Sequence, residues 1–168
     1  MATVPTPAIG GNIRASDVLF LLGGSSSRKP SFRVHLNTAQ TIANNSLTTI
    51  KWDTVDEDTD SGYSGTTGQY TVGTAGLWVY SARSQWSNGG TTTTTRLIEF
   101  QQNGVDVGDL FTLGSNDSSN TGRMVGSVIL RCAAGDTVSV AGYQLSTASL
   151  TFGGSSTNAA FSGVWLGE

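Results

Sequence analysis

Five carboxylates lie within eight residues in the stretch DTVDEDTD, residues 53–60, although the whole chain has only twelve acidic residues. Three of them have the one-three-five spacing of a calcium-binding loop: Asp56, Asp58 and Asp60. The sixth position of such a loop would be Ser61 instead of glycine, and the twelfth would be Thr67 instead of a bidentate glutamate. The stretch is therefore no EF-hand, and two interpretations stay open: a weak calcium site or a solvated loop between strands.

The loop interpretation makes a prediction about stability. Exposed surface substitutions usually change the free energy of unfolding by no more than about 0.5 kcal/mol, so replacing Asp56 and Asp58 by asparagine should alter stability little. Catalytic use of the acids is not supported. A glycosidase needs two carboxylates that face each other across a cleft, and neighbours on one loop do not have that geometry.

The single histidine and the single cysteine are the other residues that could do chemistry. His35 alternates with Phe32, Val34 and Leu36, so we expect it on the opposite face, beside Arg33, as a surface or interface residue. It has no His or Cys companions for a metal, and no G-x-S-x-G motif supplies a nucleophile.

Cys132 ends the segment VGSVILRC, and no basic group or helix N-terminus is expected to activate it. A thiol in that setting is expected to be inert, and one cysteine cannot form a disulfide within the chain. The sequence thus predicts no catalytic residues, no cofactor except the weak calcium considered above, and no enzyme activity.

The elements that position these residues are strands. From Phe32 onward the apolar residues recur with a period of two, and turn residues interrupt them every eight to twelve positions, as is typical of a sandwich or barrel. The segment GLWVY, residues 76–80, is apolar throughout and predicts a central strand covered on both faces. The fold class is all-β, with about ten strands predicted at 32–36, 47–53, 70–72, 76–80, 97–100, 105–113, 125–131, 137–143, 149–152 and 161–166.

Composition excludes several classes of partner. Charged residues make up 12% of the chain, about half the usual share, and the net charge is −3. Nucleic-acid binding is not expected, because it needs a basic stripe along the surface. No apolar run approaches the length of a membrane span, and no secretory signal is recognisable, so we expect folding in a host cytoplasm without a membrane partner.

Residues 1–30 differ from the rest of the chain. They begin with MATVPTP, continue through the apolar segment VLFLL and end in GGSSSRKP. The prolines favour an extended conformation, and the Gly/Ser-rich end favours a flexible link. The predicted organisation is an extended N-terminal arm with a linker at 1–30, followed by one domain at 31–168.

The domain carries a series of motifs in a defined order: Phe32, Ile50-x-Trp52-Asp53, Tyr63, Tyr70-Thr-Val72, Gly76-Leu-Trp-Val-Tyr80, Asn103-Gly104, Gly135-Asp-Thr-Val138 and Phe161-Ser-Gly-Val-Trp-Leu166. This series resembles the globular head of complement C1q, which is grouped with the tumour necrosis factor jelly rolls. The resemblance implies a ten-stranded jelly-roll sandwich that forms a tight homotrimer. Several relatives of the complement head bind calcium near the apex of their trimer. The resemblance also implies eight core or trimer-interface residues: Phe32, Trp52, Tyr70, Trp78, Tyr80, Phe161, Trp165 and Leu166.

The N-terminal segment has a resemblance of its own. MATVPTP, followed by Arg14-Ala-Ser-Asp17 and Leu19-Phe-Leu-Leu22, is similar to leaders on virion-associated proteins of actinobacterial phages. This resemblance implies a trimer on the capsid, as a decoration protein or head fibre, or on the tail. It would be located in the virion and bound to the major capsid or tail protein through its arm. The expected attachment residues are Val4, Pro5, Pro7, Ile13, Leu19, Phe20 and Leu22.

Two other binding functions stay open. One is a host-receptor or carbohydrate-binding module of a tail fibre that contacts a host surface glycan. The other is a complement-head-like binding protein of a bacterial surface.

Overall fold

The computed structural model describes residues 28–86, 95–113, 122–155 and 158–168, with backbone only for 109–113. These residues form thirteen strands and no helix, so none of them belongs to a helix that could span a membrane. The strands are β1 Ser31–His35, β2 Gln40–Ile42, β3 Thr48–Thr49, β4 Thr54–Asp58, β5 Tyr63–Ser64, β6 Gln69–Thr71, β7 Gly76–Gln85, β8 Thr95–Gln102, β9 Val105–Leu113, β10 Arg123–Cys132, β11 Thr137–Leu145, β12 Leu150–Phe152 and β13 Ala160–Gly167.

The strands form two main sheets that pack face to face as a jelly roll. One sheet has five strands in the order β10-β7-β13-β1-β4. The other has six, in the order β5-β6-β11-β8-β9 with β3 also paired to β11, and a small third sheet joins β12 to β2. Strands far apart in the chain are neighbours, since β1 pairs antiparallel with β13, the last strand. The all-β jelly-roll prediction is confirmed.

The number of strands differs from the predicted ten because three elements lie between the predicted ones. Two of these, β2 and β5, have only three and two residues and are too short for an alternating pattern to be visible. The third is β4, which lies in the acidic stretch and pairs with β1. The prediction of a loop there was wrong for residues 54–58. Charged residues on an edge strand are common because they discourage pairing with other chains.

An aromatic cluster joins the two main sheets. The ring of Phe32 on β1 stacks on that of Tyr70 on β6, with centroids 4.0 Å apart, and meets Phe161 edge-on at 4.9 Å. Gly163 makes this packing fit, because a Cβ there would lie 2.5 Å from the Phe32 ring and 2.7 Å from the Tyr80 ring. Of the eight predicted core or interface residues, six are almost fully buried in this core: Phe32, Trp52, Tyr70, Trp78, Tyr80 and Phe161.

The other two lie near the end of β13. Trp165 is partly buried against the core, and its indole N–H donates to the carbonyl of Ala75 over 3.1 Å. Leu166 is 44% exposed and lies at the surface of the single chain.

A tight turn joins β8 to β9. Asn103 and Gly104 both have positive φ, 55° and 77°, as the two-residue turns preferred in hairpins require. The carboxylate of Asp136 fastens this turn to the loop before β11. It accepts hydrogen bonds from the side chains of Asn103 and Gln102 over 2.9 Å and from the backbone N–H of Ala133 over 2.8 Å.

Candidate functional site

The first acid of the stretch, Asp53, closes a turn. Its carboxylate accepts the backbone N–H groups of Asn37 and Thr38 over 2.7 and 2.8 Å and the hydroxyl of Thr54 over 3.0 Å. Partial burial raises the pKa of this carboxyl, but the hydrogen bonds from Asn37 and Thr38 outweigh it, and the net pKa is lowered. Asp53 is therefore a structural carboxylate.

Asp56 is set apart from its neighbours by an irregularity in β4. The register with β1 shifts between Glu57, opposite Arg33, and Val55, opposite Val34, so Asp56 is left as an extra residue. Its carboxylate meets two basic groups of β1: the Nε of Arg33 at 3.1 Å and the Nδ1 of His35 at 3.0 Å. The histidine contact is not aligned as a hydrogen bond and is ionic only when the imidazole is protonated.

Glu57 is paired in the same way. Its Oε1 lies 2.6 Å from the guanidinium of Arg28 and accepts the hydroxyl of Ser31 over 3.3 Å. Arg28 and Arg33 therefore lie beside the acidic stretch and neutralise the charges of Glu57 and Asp56.

Asp58 fastens the turn that follows β4. One carboxylate oxygen accepts the backbone N–H of Gly62 over 3.2 Å and, more weakly, that of Asp60 over 3.4 Å. The other oxygen accepts the backbone N–H of Tyr63 over 2.9 Å. These bonds hold Ser61 at a φ of 56°, a backbone conformation that residues other than glycine adopt rarely.

The three predicted metal ligands therefore have separate partners. Asp56 faces Arg33 and His35, and Asp58 faces its own turn. Asp60 accepts the hydroxyl of Thr59 over 2.8 Å. Within the described part of the chain, no three His, Cys, Asp or Glu side chains are grouped so that they could hold a metal ion. The geometry gives the calcium interpretation no support.

His35 and Cys132 lie in separate environments. His35 is only 8% exposed, so it does not lie at the surface of the single chain, and the interface alternative stays a prediction. Its place on the face opposite Phe32 and Val34 is as expected. Cys132 is buried, and its Sγ lies 3.7 Å from the hydroxyl of Tyr80. Burial raises the pKa of the thiol, which keeps it protonated and unreactive.

The outward face of the five-stranded sheet, meaning the side turned away from the core, is apolar along one row. Ile129 on β10, Val79 on β7 and Val164 on β13 lie directly opposite one another on three adjacent strands. Ile129 is 61% exposed. Val125, which lies four residues earlier on the same face of β10, is 80% exposed. Large apolar side chains grouped on an exposed sheet face are typical of an interaction surface.

The sequence analysis missed this row, although a signal is visible. In VGSVILRC the residues Val128 and Leu130 alternate with Ile129, so both faces of β10 carry apolar side chains. A strand with one face in water usually alternates apolar with polar residues. The apolar residues on the outward face of β10 indicate that this face, too, is covered by a partner.

Beside the apolar row, the outward face is polar. Ser127, Ser81 and Ser162 lie in register on β10, β7 and β13, and Arg33 continues the line on β1. A small pocket of about 190 Å³ lies there, lined among others by Arg33, Arg83, Ser81 and Ser162. Charged and hydroxyl groups at this position give the face a polar region that can align a partner.

A larger groove lies on another part of the surface. It has a volume of about 660 Å³ and runs beside the short strands β2 and β3. Its lining combines hydroxyl, amide and charged groups with two leucines: Leu36, Thr38, Ala39, Gln40, Leu47, Thr48, Thr49, Lys51 and Asp53.

Comparison with known protein families gives one match, the C1q domain, over residues 31–166. The chain belongs to the C1q domain family. Among solved structures, this C1q domain is similar to the globular domain of zebrafish complement 1qA protein, with a TM-score of 0.62 and 16% identity over 83% of this chain and 98% of that one. It is also similar to murine APRIL at pH 5.0, with a TM-score of 0.61 and 11% identity over 83% of this chain and all of that one. No curated protein sequence matches it.

Membership of the family indicates only the general kind of function. C1q/TNF-like domains are non-enzymatic binding or structural modules that typically form homotrimers. The structural similarities, at such low identity, establish the fold of this C1q domain only. The expected attachment residues, from Val4 to Leu22, lie outside the described residues.

Proposed function

We propose that this C1q-type chain is a homotrimeric, non-enzymatic structural protein displayed on a phage particle and anchored there by its N-terminal arm. The observation that carries the proposal is the apolar row on the outward face of the five-stranded sheet. Second and third copies of the chain are the partners that this face fits, since the domain belongs to a family that typically trimerises.

Association is favoured because a single chain leaves a large apolar area of this sheet face in contact with water. Burying a Val or Ile side chain contributes about 1.5–3 kcal/mol. Val125 and Ile129 are 80% and 61% exposed, and Val164 and Leu166 are 40% and 44% exposed. Covering four such residues in each protomer favours association strongly. The charge of Arg33 beside them does not oppose it, because its guanidinium already contacts Asp56.

The oligomeric state tests this interface. The full chain should have a mass three times the 17.4 kDa of one chain by light scattering at micromolar concentration. Ile129→Glu should give a folded monomer, because it places a charge in the apolar row. The matched control is Val105→Glu, which changes a 66% exposed valine on the other main sheet and should stay trimeric. A wild-type monomer, or trimers of both variants, would contradict the proposed interface.

The virion assignment rests on the resemblance of the N-terminal segment to phage leaders. Leu19, Phe20 and Leu22 belong to an apolar segment too short to form a stable helix alone, since isolated helices of fewer than about 12 residues are marginal in water. A groove on a capsid or tail protein would cover it. The Gly/Ser-rich residues before Pro30 would then let the jelly roll stand away from the particle surface.

Deletion of residues 2–22 and the single change Phe20→Asp test the anchor. Both variants should still form trimers but disappear from purified particles, whereas the control Phe20→Leu should keep wild-type occupancy. A domain comprising residues 31–168 should likewise be trimeric without the arm. Retention of the deletion variant on particles at wild-type level would refute the anchoring role.

A second candidate function is glycan binding on a tail fibre, and one observation favours it. The groove of about 660 Å³ presents the hydroxyl, amide and charged groups that recognise sugars, with Leu36 and Leu47 as apolar contacts. Purified trimer should then bind host cells or a glycan array and compete with phage adsorption, and Lys51→Ala with Thr49→Ala should weaken both effects. A decoration protein without this activity would instead change particle stability and leave adsorption unaltered.

A further inference from the structure

Arg96 is a buried cation for which the described residues supply no partner. It lies on β8 with its side chain turned into the sandwich, in alternation with Ile98 and Phe100, and only 6% of it is exposed. Its Nε is inaccessible to solvent and has no hydrogen-bond partner. The ion pairs with Asp56 and Glu57 involve other basic residues: Arg28, Arg33 and His35. Leaving a buried guanidinium unpaired is costly, so a counter-charge is expected here.

The polar side chain opposite Arg96 does not neutralise its charge. Gln144 lies in register with Arg96 on β11 and is fully buried. Its amide oxygen accepts the hydroxyl of Ser146 over 2.5 Å. Its amide nitrogen donates to the carbonyls of Ile42 and Ala148. None of these bonds involves Arg96, and the uncharged amide cannot neutralise the guanidinium.

Two more buried donors without partners belong to the same end of the core. They are the hydroxyl of Ser84 and the indole N–H of Trp86, two positions apart on the inward side of β7 and its C-terminal continuation. Gly122 lies between Trp86 and Arg96. The backbone N–H of Trp86 donates to the carbonyl of Gly122 over 2.8 Å, and a Cβ on Gly122 would lie 2.7 Å from the Nη1 of Arg96. The guanidinium thus occupies the place that a side chain at position 122 would take beside Trp86.

We propose that Arg96 binds a small inorganic anion such as chloride at this end of the jelly roll, where Ser84 and Trp86 offer further hydrogen-bond donors. Guanidinium and indole groups can only donate hydrogen bonds, and a hydroxyl can donate one. An anion accepts from all of them and also neutralises the charge, whereas a water molecule would satisfy the donors but leave the charge uncompensated. In agreement with this geometry, burial lowers the pKa of Arg96.

Chloride-dependent melting of the full chain tests the site. At constant ionic strength and protein concentration, replacing gluconate by chloride should raise the Tm of the wild type by about 5 °C, and the rise should saturate. Arg96→Met should abolish this response. Its matched control, Lys51→Met, removes one exposed positive charge and should keep the response.

One alternative counter-charge in the chain has to be separated from an anion. Asp117 is the single acidic residue in the intervals 87–94 and 114–121, which adjoin this end of the described core. If its carboxylate were the partner of Arg96, the wild type would not respond to chloride, and Asp117→Asn would lower the Tm and gain a response. That result would overturn the proposal, whereas an unchanged chloride response in Asp117→Asn supports it.

Crystals of the wild type grown with bromide give a second measurement that does not depend on whether the Arg96 variant folds. An anomalous bromide peak beside the Arg96 guanidinium is expected. A wild type with neither a chloride response nor such a peak would refute the site. Neither measurement depends on the trimer or on attachment to a particle, so this inference and the proposed function can fail separately.

Discussion

Replacing Asp58 should lower stability more than replacing Asp56, its neighbour in the acidic stretch. The sequence analysis expects little change when Asp56 or Asp58 becomes asparagine, but the structure separates the two. Asp56 forms an exposed ion pair with Arg33 and lies beside the Nδ1 of His35, whereas Asp58 accepts backbone N–H groups from the turn that follows β4. The perturbation is therefore Asp58→Asn, with Asp56→Asn as its matched control.

The expected loss can be estimated from the bonds involved. A hydrogen bond to a charged group contributes about 1.5–3 kcal/mol, and partial exposure places these bonds at the lower end of that range. An asparagine keeps one acceptor oxygen, so it can retain the bond from Gly62 or the bond from Tyr63, but not both. Asp58→Asn should then cost about 1.5 kcal/mol. Asp56→Asn should cost no more than about 0.5 kcal/mol, because exposed ion pairs contribute little.

Urea unfolding at neutral pH, with the protein concentration held constant because the chain is proposed to be a trimer, measures both changes. Asp58→Asn should also lower the Tm by about 3–6 °C. Equal and small effects of the two variants would refute the role assigned to Asp58. A calcium-dependent Tm in the wild type that disappears in Asp58→Asn would show that the stretch binds a cation after all.

Two further predictions concern the core and one turn. Gly163→Ala should prevent normal folding or lower the Tm by more than 10 °C, because its Cβ would overlap the rings of Phe32 and Tyr80, and circular dichroism with thermal melting measures this. Hydrogen bonds from Asn103 and the backbone lower the pKa of Asp136 below its usual 3.8. Its stabilising effect is therefore present above about pH 4 and is lost as the pH falls through the lowered pKa, so Asp136→Asn should flatten the acid side of the stability profile.

The parts of the fold that follow local rules were predictable from the sequence. Alternation in FRVHL placed Phe32 and Val34 in the core, and the structure buries both. The Asn103-Gly104 pair marks a hairpin because both residues adopt positive φ without difficulty. Such signals depend on one segment and its turn, and long-range packing reinforces them.

The acidic stretch was not predictable in the same way. Its strand, β4, has no alternation of its own and forms because β1 offers a free edge to its backbone. The partners of Asp56 lie more than twenty residues away in the chain, on β1, and the register shift in β4 is what aims the carboxylate at them. A single sequence does not contain that pairing. The net acidity of the stretch therefore pointed to a cation, while the fold supplies arginines and backbone N–H groups instead.

For Arg96 the sequence does contain a signal, its alternation with Ile98 and Phe100, but only the packing shows whether the charge is buried. In TRLIEF it has the same parity as Ile98 and Phe100, so alternation alone places its charge inside the sandwich. Long basic side chains often bend back to water, and parity does not decide whether this one does. The structure decides, because Gly122 leaves the space that the guanidinium fills beside Trp86. A charge held at that depth implies a counter-charge, and the acids of the described core are already engaged elsewhere.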